Sequence, residues 1–133
     1  MTHDNDNKNS KILLVDDEPD IVYCVKKVLE KNGFAVDSYT DPTLALSNFK
    51  PGLYDLLLLD IKMPKMDGFE LYQKMRKIDR KVRVCFLTAS ELFYDKYRRR
   101  LDGYPTLDRE NFIQKPYRSE ELICKLNEML YPS

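Results

Sequence analysis

The chain has 133 residues and a mass of 15.8 kDa, enough for one hydrophobic core and too little for two ordinary domains. Hydrophobic residues make up 43% and charged residues 33%, a mix that excludes an intrinsically disordered polyelectrolyte. Lys+Arg and Asp+Glu are equal at 22 each, so no net field draws the whole molecule to nucleic acid or to an anionic membrane surface.

Residues 1–10 (MTHDNDNKNS), with the single histidine His3, are polar and hold no apolar stretch of signal-peptide length. They read as a flexible N-terminal arm preceding one domain over residues 11–131. No apolar run approaches the roughly 20 residues of a membrane span, and the expected location is cytoplasmic. Cys24, Cys85 and Cys124 are far apart, form no C-x-x-C pair and fall in apolar periodic segments, so they read as reduced core thiols.

Short apolar runs then alternate with amphipathic stretches. Lys11 to Val15 is a strand that ends in an acidic cluster; Pro19 suits a first helical position, and Ile21, Val25, Val28 and Leu29 share a helical face until Gly33. Phe34 to Tyr39 alternates as a second strand. Asp41-Pro42 caps a helix whose Ala45, Leu46 and Phe49 face inward until Pro51-Gly52 ends it. Leu56 to Leu59 is apolar at every position, which fits a central strand covered on both faces, and it ends at Asp60. In the tract Met63 to Gly68 (MPKMDG), Pro64 and Gly68 shape a turn. Phe69, Tyr72 and Met75 space a third helix, and Val82 to Leu87 is a fourth strand ending at Thr88. Phe93, Tyr97 and Leu101 space a fourth helix, with the basic side chains of Tyr94 to Arg100 (YDKYRRR) on a solvated face. Asn111 to Gln114 is a last strand ending at Lys115-Pro116, and Ser119 caps a final helix that buries Leu122, Ile123, Leu126, Met129 and Leu130.

Strands separated by helices imply right-handed crossovers, hence a doubly wound α/β fold with a five-stranded parallel sheet and helices on both faces. Ligands bind such sheets beyond the carboxyl ends of the strands, where the strand order reverses. The polar residues that follow the strands are Asp16-Asp17, Asp60, Thr88 and Lys115. Three carboxylates in one crevice repel unless protons or a cation neutralise them, and an all-oxygen donor set favours Mg²⁺. A carboxylate at the end of a buried strand is a rigid nucleophile, an ammonium supplies a point charge and a hydroxyl one hydrogen bond, which suits phosphoryl transfer.

The segments LLVDDEPD, LLLDIKMPKMDGFEL, FLTAS and FIQKPY resemble the response-regulator receivers of two-component signalling, and with the intervening helices they cover the chain from about Lys11 to Leu130. The resemblance implies a flavodoxin-like strand order 2-1-3-4-5. It implies Asp60 as the phosphorylated aspartate and Asp17 as a direct Mg²⁺ ligand, with Asp16 acting mainly through a metal-bound water and the backbone carbonyl of Lys62 completing the protein's share of the shell. Thr88 and Lys115 would contact the phosphoryl group, and Phe112 would be the switch aromatic that turns inward as Thr88 moves. The implied partners are a sensor histidine kinase or histidine phosphotransfer protein as donor and a downstream protein target, with no nucleic acid or membrane and a monomer or phosphorylation-linked dimer. A phosphohistidine donor requires no nucleotide site, and the chain has no glycine-rich phosphate loop. Such a protein receives phosphate and is not a multiple-turnover enzyme. The last helix is followed by only a few residues, from which no output module is expected.

Two other functions use similar parts. An aspartate-nucleophile phosphatase of the haloacid dehalogenase kind carries a general-acid aspartate two residues after the nucleophile, where this chain has Lys62. A receiver-like module that is never phosphorylated would leave reactive positions unfilled, and here each is filled. The chain departs from the family in Lys62 and Ser90 at the pocket mouth, in the 27 positions between Thr88 and Lys115, and in Asp102 to Glu110 (DGYPTLDRE) where Gly-Ala is usual.

Overall fold

The structure, a computed structural model, describes residues 10–89 and 109–132. The expectations for Phe93, Tyr97 and Leu101, for Ser90 and for Asp102 to Asp108 lie outside the described residues, as does most of the N-terminal arm. Five strands, β1 (Lys11–Val15), β2 (Ala35–Tyr39), β3 (Leu56–Asp60), β4 (Arg83–Thr88) and β5 (Phe112–Gln114), form one sheet in the order β2-β1-β3-β4-β5. Every pairing is parallel. The described helices are α1 (Pro19–Lys31), α2 (Pro42–Ser47), α3 (Gly68–Ile78) and α4 (Ser119–Leu130), with a 3₁₀ turn at Arg109–Asn111. None is long and apolar enough to cross a membrane.

The period of two along each strand divides the apolar side chains between two cores. Leu13, Val15, Leu57, Leu59, Val84 and Phe86 pack with Ala45 of α2 and with Phe69, Tyr72 and Met75 of α3. Ile12, Leu14, Leu56, Leu58, Cys85 and Leu87 pack on the other face with Val25 and Leu29 of α1 and with Leu122 and Leu126 of α4. Every residue of β3 is buried, as its unbroken apolar run requires, including the terminal Asp60.

Several local expectations are corrected. The buried stripe of α1 is Val22, Val25 and Leu29, with Ile21 and Val28 half-buried. Cys24 and Cys124 are exposed, because two residues from a buried position is about 200° around a helix; Cys85 alone is a core thiol. Asp41 does cap α2, but that helix stops at Ser47, and Phe49 reaches the core from beyond it. Ser119 is the first residue inside α4, and the Glu121 carboxylate accepts from the Arg118 N–H at 3.0 Å. Ser10 is not part of a free arm: it is buried, its carbonyl accepts from the Ala35 N–H at 2.9 Å, and its hydroxyl hydrogen-bonds that of Tyr131.

Candidate functional site

The parallel register brings the strand ends level. The Asp16 N–H donates to the Tyr39 carbonyl, Ile61 N–H to Leu87 and Lys115 N–H to Thr88, extending the ladder just past the sheet at one edge. β1 pairs with β2 on one side and β3 on the other, so the reversal of order lies at the ends of β1 and β3. There a cleft of about 640 Å³ is lined by Asp17, Glu18, Asp60, Lys62, Thr88 and Lys115 among others. Each of Asp16, Asp17 and Asp60 offers a carboxylate oxygen, and these three atoms lie within 4.8 Å of one another.

Lys115 reaches into this acidic group. Its Nζ donates to Asp60 Oδ1 at 3.1 Å and stands 3.7 Å from Asp16 Oδ2. Burial, and then the charge of Asp16, push the Asp60 carboxyl up to about 6 against the pull of Lys115. Burial also raises Asp16, opposed by the hydrogen bond from the Glu18 N–H and by Lys115. For Lys115 itself burial acts downward, yet Asp60 and Asp16 outweigh it and hold the ammonium above its ordinary range.

Asp16 is fully buried; its Oδ1 accepts the Glu18 N–H at 3.0 Å, while Oδ2 has no hydrogen-bond donor. A buried carboxylate oxygen without a donor is costly, and this one belongs to a trio of converging carboxylates with a single ammonium. That combination fits a small hard cation bound among the three oxygens.

Of the expected site residues, Asp16, Asp17, Asp60, Thr88 and Lys115 converge at one edge of the sheet. Thr88 is buried at the end of β4. Lys62 lies on the cleft wall with its side chain exposed. Phe112 is not in the cleft; it sits half-buried on the α2/α3 face, its ring centroid 5.3 Å from Phe86 and 6.0 Å from Phe69.

Sequence reasoning missed two features of the loop after β3. The left-handed residue of the turn is Lys65, at φ 72°. Gly68 instead serves close approach: a Cβ there would fall 2.3 Å from the Asp60 carbonyl oxygen, and its N–H donates to the Ile61 carbonyl at 2.8 Å. Glu18, which also lines the cleft, carried no signal beyond its place in the acidic cluster.

The family model of the response regulator receiver domain matches residues 12–127. This chain belongs to that family. The receiver is 34% identical over 116 residues to the transcriptional regulatory protein DltR of Streptococcus agalactiae, covering 87% of this chain and 50% of that protein. It is 34% identical over 128 residues to the transcriptional regulatory protein TrcR of Mycobacterium tuberculosis, covering 96% of this chain and 48% of that one. The chain thus spans about half the length of the curated relatives it matches. Among solved structures it is similar to the non-phosphorylated HemR receiver domain of Leptospira biflexa, with TM-score 0.79 and 27% identity over 94% of this chain and 97% of the other. It is also similar to the response regulator TrrA of Thermotoga maritima in complex with Mg²⁺-BeF, with TM-score 0.74 and 31% identity over 92% and 100%. The receiver's sheet has the 2-1-3-4-5 order that the resemblance implied.

Proposed function

We propose that this receiver accepts a phosphoryl group on Asp60 from a phosphohistidine of a sensor kinase or histidine phosphotransfer protein, and thereby switches a surface for a downstream protein. The observation that carries this reading is the contact of Lys115 with Asp60 inside a trio of converging carboxylates, of which Asp16 and Asp60 are buried and Asp17 is half-buried. An Asp60 oxygen attacks phosphorus, the P–N bond breaks, and the imidazole nitrogen keeps the electron pair. Burial at the end of β3 fixes the nucleophile; the Lys115 ammonium takes a phosphoryl oxygen and the Thr88 hydroxyl donates to another. Asp16, Asp17, Asp60 and the Lys62 carbonyl would hold Mg²⁺, whose charge offsets the repulsion between carboxylates and phosphate. The readout would pass from Thr88 to Phe112, whose ring rests on Phe86 two residues before Thr88 in β4.

The phosphatase reading is disfavoured because the position two after Asp60, where such enzymes carry a general-acid aspartate, holds Lys62. We place the protein in the cytoplasm, acting through protein contacts rather than on nucleic acid, as a monomer or a phosphorylation-linked dimer. Incubation with Mg²⁺ and acetyl phosphate followed by intact mass is the test. A stable gain of one phosphoryl group, absent in Asp60→Asn, is expected. Rapid multiple turnover would favour the phosphatase, and no gain would leave an unphosphorylated interaction module.

A further inference from the structure

Lys65 is the one non-glycine among the described residues with φ in the left-handed region, at 72°. Its Nζ donates to Asp41 Oδ2 at 3.1 Å. The other oxygen of that carboxylate, Oδ1, accepts from the Thr43 N–H at 2.9 Å and the Thr43 hydroxyl at 2.7 Å. Capping α2 therefore fixes Asp41 before Lys65 arrives, and the pair forms on a preset partner. Burial of the pair is slight, with side-chain exposures of 63% for Lys65 and 27% for Asp41. An exposed pair contributes little to global stability, and lysine in this conformation is less favourable than glycine would be, so stability gives no account of the arrangement.

Position gives one. Asp41 follows β2 and Lys65 follows β3, and β1 lies between those strands in the sheet. The pair therefore ties the segment after β2 to the loop after β3, the two strands that flank β1, at the edge of the sheet where Asp16 and Asp17 follow β1. The loop it restrains supplies Ile61, Lys62, Met63 and Pro64 to the cleft wall. The loop is also tied by Ile61 N–H to the Leu87 carbonyl at 3.1 Å and by Met66 N–H to the Pro64 carbonyl and Gly68 N–H to the Ile61 carbonyl, both at 2.8 Å, with Ile61 and Met63 buried in the core. The pair adds the restraint at Lys65, whose side chain is exposed. Strain held at the rim of a reactive site, where surrounding structure over-determines it, points to a positional role.

We propose that the Lys65–Asp41 pair is a latch that holds the loop after β3 against the phospho-acceptor cleft, making Lys65 a positioning residue for the chemistry at Asp60. This rests on the function proposed above. The latch orders the segment that carries the Lys62 carbonyl and the cleft wall, without touching the phosphoryl group, and limits the access of water to Asp60. Both partners lie at the surface, so the restraint weakens as salt screens it.

Three variants test it. Lys65→Gly removes the cation and relieves the backbone, Lys65→Met removes the cation alone, and Asp41→Asn removes the anion while keeping an oxygen to cap α2. Amide hydrogen exchange at Met66 and Gly68 in metal-free protein should quicken roughly two- to fivefold in all three, the range an exposed pair supplies. Lys65→Gly should nevertheless melt at or above the wild-type temperature. With Mg²⁺ and acetyl phosphate, the aspartyl-phosphate lifetime should shorten by a similar factor, and high salt should shorten it in wild type but not in the variants. Wild-type exchange rates in Lys65→Met and Asp41→Asn would overturn the latch. Faster exchange with unchanged lifetime would overturn the positioning role. Failure of the wild type to take a phosphoryl group would overturn the function it serves, while the exchange rates would still decide the latch.

Discussion

The Lys115 ammonium stands 3.1 Å from Asp60, yet the Asp60 carboxyl is pushed up to about 6 rather than down. Burial and the Asp16 charge outweigh the ion pair, so the cleft is under-neutralised by construction.

Replacing Asp60 by Asn should therefore stabilise the metal-free protein at neutral pH. The amide keeps an acceptor for Lys115 and removes one of three facing carboxylates. A gain of about 1–2 kcal/mol is expected from relief of a charge held above its ordinary pKa. Urea denaturation in EDTA at pH 7.5 measures it; a lower midpoint than wild type would contradict the electrostatic account.

The pH dependence has a definite sign. The folded-state value for Asp60, about 6, exceeds the ordinary 3.8, so between these values the folded state holds more protons than the unfolded one. Stability of the metal-free protein should fall as pH rises through that window and level off above it. Asp16, also raised, acts in the same direction. Chemical denaturation at pH 5 and 7.5 in EDTA should show the lower midpoint at 7.5, with a smaller difference in Asp60→Asn. Added Mg²⁺ should restore stability chiefly at the higher pH, through linkage to the ionised carboxylates, and Asp17→Asn should blunt that effect.

Gly68→Ala should damage more than a helix start. Its Cβ would meet the Asp60 carbonyl oxygen at 2.3 Å, so either the N-terminus of α3 or the nucleophile's own backbone must move. A loss of about 1–3 kcal/mol is expected for such overpacking. Asp67→Ala, which removes the cap on the Glu70 N–H, provides a destabilised comparison that presses no new atom against the Asp60 carbonyl. At matched stability Gly68→Ala should be phosphorylated more slowly by acetyl phosphate, and equal rates would show that the close approach matters only for folding.

Lys62 stands exposed on the cleft wall, two residues past Asp60. Its charge should favour the aspartyl phosphate over attack by water, so Lys62→Ala should shorten the phosphoryl lifetime by up to about fivefold, the ceiling for a surface charge worth ~1 kcal/mol. Decay of the two phosphorylated proteins at one rate would place the side chain in solvent without consequence.

The sheet was legible because its information is local. Four consecutive leucines between turn signals fit a strand covered on both faces, and β1, β3, β4 and β5 each run into or end on a polar residue that lines or borders the cleft. What stayed hidden depends on contacts between distant segments. Nothing near Gly68 in sequence announces the Asp60 carbonyl pressed against it, and nothing near Lys65 announces Asp41, 24 residues earlier. Helical phase misled at Cys24 and Cys124, where an apolar neighbourhood concealed an outward-facing position. The end of α2 was placed too late because Phe49 keeps the inward rhythm after the helix has already stopped.

The bond between the Ser10 and Tyr131 hydroxyls joins the residue before β1 to the residue after α4, at the edge of the sheet opposite the acidic cleft. A polypeptide spliced on at either side would leave from nearly the same spot, with the body of the domain between it and the reacting carboxylate. Joining further chain at that spot should therefore leave the acidic cleft open, as expected of a domain whose two ends lie close together.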